Sequence, residues 1–234
     1  MSKGDSEPLN VSPLLTRRLV QLESCGQRRE TIRMQSALAE MTGFDEKLLR
    51  IAPQMDRFEG YADAHGKRIA SIADLLGAAF KLASRDRFFL QQAALVHDIG
   101  ELKMNREYIK SPHTLNVEER LDLQRHPVIG EQETAKMGLP RGVQLLVRWH
   151  HEWWNGGGYP DGLMSEQIPL AARILRISDT YAALTSKRPF RAAMPVDEAK
   201  KYLIEWAGIE FDPAIVKVFL AISEQHRQRQ EAHS

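Results

Sequence analysis

The chain has 234 residues, with 32 lysines and arginines set against 31 aspartates and glutamates. A balance this close excludes a chain-wide nucleic-acid footprint and a membrane-surface charge, so any anionic ligand must be drawn in locally. The single cysteine, Cys25, excludes an intramolecular disulfide framework and a cysteine-based metal site, and it fits a reducing compartment. Residues 1–10 are polar, without the apolar stretch of a secretory signal, and no later apolar run is long enough to cross a bilayer. These features describe a soluble, cytoplasmic chain with one core.

Residues 1–12 are rich in Ser, Pro, Gly and Asp and are expected to be disordered. Residues 13–54 turn helical, with Leu15, Leu19 and Leu22 on one face, then Ile32, Leu38 and Met41 after a break at Gly26, then Leu48, Ile51 and, just past the section's end, Met55. This section reads as a cap on the core, on a second copy of the chain or on a protein partner. The main domain is expected over residues 55–222, followed by a polar tail over 223–234.

Within that domain Ile69, Ile72, Ala73 and Leu76 form a helical stripe, with His65 at its start and Gly77 expected to close or weaken it. Ser84 suits the N-cap of a helix carrying Phe88, Leu90, Ala94 and Leu95 and ending near His97 to Gly100. Asn116 and Glu119 have the spacing of a capping box ahead of a helix running toward His126. Pro127 suits the first turn of the next helix, and Gly138 its end. Val143, Leu145, Leu146 and Trp149 carry an apolar helix into His150-His151. Asn155 to Gly162 holds four glycines and a proline in eight positions and cannot be helical. Helix resumes near Pro169 and places Asp179 in its interior. Pro195 and Asp197 start another helix ending near Gly208, and Asp212-Pro213 starts the last. No strand alternation appears, so the chain reads as all-α.

His97-Asp98 stands where an apolar helix reaches Gly100. It offers adjoining nitrogen and oxygen ligands beside helix-terminal carbonyls that favour a cation. His126, His150, His151, Asp179 and the upstream His65 supply further ligands of the same kinds. Imidazole-rich sets with few carboxylates suit iron, manganese or a similar transition metal better than calcium or magnesium.

The pieces His65 with Arg68-Ile69-Ala70, His97-Asp98-Ile99-Gly100, His126-Pro127, His150-His151-Glu152 with Gly158-Tyr159-Pro160, and Ile177-Ser178-Asp179 through Arg188-Pro189-Phe190-Arg191 occur in one order. Together, over about residues 55–220, they resemble the HD-GYP family, a branch of the HD metal-dependent phosphohydrolases. The resemblance implies an HD-domain helical bundle with the HD-GYP extension. It also implies two divalent metals, iron or manganese, and hydrolysis of cyclic di-GMP to linear pGpG, with further cleavage to GMP, through a hydroxide bridging the metals. His65, His97, Asp98 and Asp179 would hold one metal, and Asp98, His126, His150 and His151 the other. Asp98 and Tyr159 are then catalytic, and Tyr159, Arg188, Arg191, Lys103 and Trp154 contact substrate. Trp154 is included because it lies four residues after His150.

Four positions depart from the family pattern. Glu101 stands where the family has a lysine implicated in contacting the substrate phosphate, with Lys103 as a partial substitute. Tyr61 replaces the glutamate of three-metal members, so two metals are expected. Ala182 replaces an aspartate, and Asn155 another one ahead of the glycine loop. Glu101 and Ala182 support the alternative of a catalytically weak or inactive signalling module acting through a protein partner or a homodimer via residues 13–54. Neither reading involves a nucleic-acid polymer or a membrane. His113, His226 and His233 have loop or tail contexts and are expected at the surface.

Overall fold

The computed structural model describes residues 46–231 apart from Pro112 and Phe190, with side chains as far as Glu224. The expected disorder of residues 1–12, the helical section up to residue 45, Cys25, His226 and His233 lie outside the described backbone or side chains. Among the described residues the secondary structure is helical, with only two isolated bridges, Arg188 with Arg191 and Ala207 with Phe211. No described helix is long and apolar enough to cross a membrane.

The helices are α1 (Glu46–Phe58), α2 (His65–Ala79), α3 (Ser84–Val96), α4 (Ile99–Met104), α5 (Glu107–Lys110), α6 (Val117–Leu123), α7 (His126–Lys136), α8 (Arg141–Trp149), α9 (Leu170–Leu184), α10 (Val196–Glu205) and α11 (Pro213–Glu231), with a 3-10 turn at Ser165–Gln167. Helix α2 packs on α3, α9 on α2, α8 on α3 and α7, and α4 on α7. The stripe Ile69, Ile72, Ala73 and Leu76 meets Leu90, Ala94 and Leu95 of α3, Val143 and Val147 of α8, and Ile174 and Leu175 of α9 in one buried cluster. Each such Leu or Ile contributes about 1.5–3 kcal/mol by leaving water. The bundle is therefore anchored on the same helices that carry the histidines.

Two local expectations change, at Gly77 and Ser84, while helix α1 carries Leu48, Ile51 and Met55 through Pro53. The ring removes one helical hydrogen bond, but Leu48, Ala52 and Met55 are buried on both sides of it and hold the helix together. Gly77 lies inside α2: a Cβ there would meet Arg87 Cγ of α3 at 3.2 Å, so its role is close approach between helices. Ser84 is the first helical residue of α3, with Ala83 at the cap and no side-chain cap bond. The capping box at α6 forms as its spacing predicts, with Glu119 N donating to Asn116 Oδ1 at 2.8 Å and Asn116 N to Glu119 Oε2 at 3.0 Å. Asp212 caps α11 by accepting from Ala214 N at 2.8 Å.

Candidate metal centre

Helix boundaries present most of the charged and imidazole side chains of the centre. His65 opens α2, His97 closes α3, Asp98 precedes α4, His126 opens α7, and His150 caps the end of α8. Asp179 projects from the interior of α9. Two close contacts hold these elements in place. A Cβ on Gly100 would lie 2.0 Å from the His126 carbonyl oxygen, so glycine lets α4 lie against the start of α7. A Cβ on Gly158 would lie 2.2 Å from Trp153 N, where the glycine loop folds back beneath His151. The Glu152 carboxylate braces that loop by accepting from Asp161 N at 2.7 Å and Leu163 N at 2.9 Å.

The side chains form two adjoining sets. Asp98, His126, His150 and His151 each place a ligand atom within 4.8 Å of the others, and so do His65, His97 and Asp179. Asp98 joins them: Oδ1 lies 3.2 Å from His126 Nε2 and 3.3 Å from His150 Nε2, while Oδ2 lies 3.0 Å from His97 Nε2. Asp179 Oδ1 is 3.6 Å from His97 Nε2 and 3.9 Å from His65 Nε2.

These residues fit a cation. Nδ1 of His97, His126 and His150 lies 3.0, 2.7 and 2.6 Å from the carbonyls of Ala94, Leu123 and Val147. A carbonyl only accepts, so each Nδ1 carries the proton and each Nε2 keeps its lone pair, the usual arrangement of a metal-ligating histidine. Both nitrogens of His65 and Nε2 of His97 are buried without a hydrogen-bond partner, an expensive state unless they serve a ligand. Burial drives the His65 pKa down to about 3, which keeps the ring neutral. Burial would raise Asp179, but its contact with His97 takes it down to about 2 and keeps it ionised.

Around this core, Tyr159 stacks on His151 with ring centroids 4.8 Å apart. Tyr61 is buried and stacks on His65 at 3.6 Å. The Arg188 guanidinium donates to the Tyr61 hydroxyl, lies 4.2 Å over its ring and stands 3.6 Å from Glu59 Oε2. Glu101 faces the site, with its side chain 13% exposed and Oε1 4.0 Å from His126 Nδ1. Burial and then the charge of Asp98 push its pKa up to about 7.

The other candidate contacts lie elsewhere. Lys103 is exposed. Arg191 is exposed and donates to the Ala183 carbonyl at 2.5 Å. Helix α8 ends at Trp149, so the helical spacing that put Trp154 on the His150 face does not apply, and its ring carries Arg173 at 5.5 Å. Ala182 is fully buried in the core. Asn155 Oδ1 accepts from Gly157 N at 2.8 Å, a local turn. His113 is exposed and lies 3.0 Å from Glu119, as its loop context predicts.

Sequence reasoning missed Glu59, Arg176 and Glu210. Arg176 lies one helical turn before Asp179 on α9, a spacing that would have placed it at the site. Glu59 and Glu210 carry no such signal, since loop and turn backbone brings them in.

An all-α bundle with two buried histidine and aspartate sets joined by one carboxylate defines a helical metal-binding domain. The chain belongs to the HD domain family, whose model matches residues 50–215, in keeping with the resemblance of its motifs to the HD-GYP branch. It is 34% identical over 207 residues to the cyclic di-GMP phosphodiesterase response regulator RpfG of Xanthomonas campestris pv. campestris, covering 86% of this chain and 54% of that protein. It is 32% identical over 178 residues to 3'3'-cGAMP-specific phosphodiesterase 3 of Vibrio cholerae serotype O1, covering 74% of this chain and 39% of the relative. The chain thus spans about half or less of the length of these relatives. An HDG"Y"P protein from Bdellovibrio bacteriovorus shares the fold, with a TM-score of 0.60 at 17% identity, over 93% of this chain and 75% of that one.

Proposed function

We propose that the chain is a metal-dependent phosphodiesterase that hydrolyses cyclic di-GMP to linear pGpG. The observation that carries the reading is Asp98, whose two oxygens face different ligand sets. His65, His97 and Asp179 with Asp98 Oδ2 would hold one divalent metal, iron or manganese, and Asp98 Oδ1 with His126, His150 and His151 the second. When bound, such metals supply Lewis acidity toward the phosphate and acidify a water.

The chain's own residues do the remaining work. The carbonyls of Ala94, Leu123 and Val147 fix three imidazoles by their Nδ1 protons, so the ligand geometry is set before any ion arrives. Tyr159, held over His151, offers a phenolic hydroxyl and a ring at the rim of the centre. Arg188 provides a fixed guanidinium suited to paired phosphate oxygens. The hybrid dinucleotide 3'3'-cGAMP is a second substrate reading, favoured by the Vibrio cholerae relatives of that specificity. A cytoplasmic setting fits the single cysteine, and residues 13–54 are the segment we assign to a homodimer or signalling partner.

The test is metal content per chain, followed by chromatography of cyclic di-GMP incubated with the iron- or manganese-loaded protein. About two metals with appearance of pGpG is the expected result, and Asp98→Ala should lose bound metal and turnover together. Two metals without product, where an active relative works in the same buffer, would overturn the enzymatic reading.

A further inference from the structure

His151 differs from the other histidines of its set. Its Nδ1 faces Arg176 Nη1 at 2.7 Å instead of a main-chain carbonyl. A guanidinium has only donors, so this nitrogen must accept, and the proton of a neutral ring then resides on Nε2. Turning the ring over would set a C–H against the guanidinium and lose the bond. His151 therefore has no free lone pair: one is spent on Arg176, and the other nitrogen is protonated.

Arg176 is itself held in place. Its second terminal nitrogen donates to Glu210 Oε1 at 2.6 Å, Asp179 Oδ2 stands 3.6 Å away, and its side chain is only 14% exposed. Glu210 is buried and shares its oxygens with the Tyr202 and Thr180 hydroxyls, each at 3.4 Å. The arginine can neither leave for solvent nor turn easily.

We propose that Arg176, fixed by Glu210, is a positioning residue that withholds His151 from the second metal. The centre is thereby unequal: the set on His65, His97 and Asp179 binds its cation tightly, while the set on Asp98, His126 and His150 binds the second weakly until the Arg176 bond breaks. This deepens the two-metal reading above and rests on it.

Two measurements test the proposal. In histidine-labelled, metal-free wild-type protein, nitrogen NMR should place the ring proton on Nδ1 for His97, His126 and His150 and on Nε2 for His151, the last signal assigned by its loss in His151→Asn. Manganese titration should show one tight equivalent and a second weaker one. In Arg176→Met combined with Glu210→Gln, which avoids a stranded carboxylate, the second should tighten by about 10- to 100-fold, the usual effect of a residue that orients a ligand. A His151 proton on Nδ1, or two equal cations in the wild type, would overturn the proposal. The NMR reading needs no variant to fold other than the one used for assignment. Neither measurement uses substrate, so failure to cleave cyclic di-GMP would sink the enzymatic reading and leave this one standing.

Discussion

Gly100→Ala tests whether the two ligand sets depend on the contact between α4 and α7. A Cβ at residue 100 would lie 2.0 Å from the His126 carbonyl oxygen, 2.8 Å from its carbonyl carbon and 3.0 Å from Gly130 N, against the 3.4 Å at which ordinary contact begins. All three are backbone atoms, so no side chain can turn away to make room, and the helices must part by roughly 1 Å. Overpacking of this kind costs about 1–3 kcal/mol or more. The same movement carries His126 away from Asp98, now 3.2 Å from its Nε2, where metal ligands tolerate only about 0.2 Å. Urea unfolding should show the stability loss, and mass spectrometry of the loaded protein should show about one metal where the wild type holds two. Turnover should fall by about 100-fold, as is typical for a 1 Å misplacement. Gly138→Ala is the control, because a Cβ there meets nothing within 4 Å and only its φ of +78° resists substitution, at about 1–2 kcal/mol. A Gly100→Ala protein with the wild-type unfolding midpoint and two metals would refute the reasoning.

Asp161→Asn removes the charge and one of the two acceptor oxygens that tie the glycine loop to α8. Arg148 reaches both Asp161 oxygens, at 2.6 and 2.7 Å, and Trp149 Nε1 donates to one at 2.7 Å. With side chains 24% and 30% exposed, solvent screening limits the arginine pair, and a loss of about 1–2 kcal/mol at neutral pH is expected. The hydrogen bond from Arg148 lowers the Asp161 pKa in the folded chain. Its stabilising effect is therefore complete above the ordinary carboxylate range near pH ~4 and is lost as pH falls through the lowered folded value. Unfolding curves of wild type and variant should differ at pH 7 and converge in acid, and a difference that persists in strong acid would assign the effect to something other than this ion pair. If the proposed function holds, Glu101→Gln should lower the substrate concentration for half-maximal rate several-fold, since a partly buried carboxylate facing the metal centre repels an anion. An unchanged value would show that the carboxylate is already neutralised in the working enzyme.

The positions of the helices and the identity of the clustered histidines were legible because both depend on local signals. A stripe such as Ile69, Ile72, Ala73 and Leu76 specifies which face of α2 is buried, and the capping box at Asn116 places the start of α6. His97-Asp98 is legible as a ligand pair because the apolar run of α3 ends there and the junction with α4 presents both side chains. What was not legible depends on long-range packing. Proline inside a helix removes a hydrogen bond, yet burial on either side of Pro53 carries α1 through, a balance that packing alone decides. Trp154 reads as a continuation of the His150 face, yet α8 stops at Trp149, where the glycine-rich segment takes over. The loop segments that place Glu59 near Arg188 and Glu210 near Arg176 are paired by the tertiary fold alone.

The replacement of lysine by Glu101 has a structural counterweight. Glu59 is buried and Glu101 partly buried near Asp98, and desolvation together with the charge of Asp98 raises both carboxyl groups, Glu59 well above its ordinary value. Arg188 is the nearby cation that acts on each of them. It is kept there by Tyr61, which receives its hydrogen bond and lies under its guanidinium, and Tyr61 is in turn held by its stack on His65. The cation that faces these carboxyl groups thus comes from the segment after α9, with Tyr61 as its platform. On this arrangement Tyr61 and Arg188 belong together, since a glutamate at residue 61 would remove the ring that supports the guanidinium.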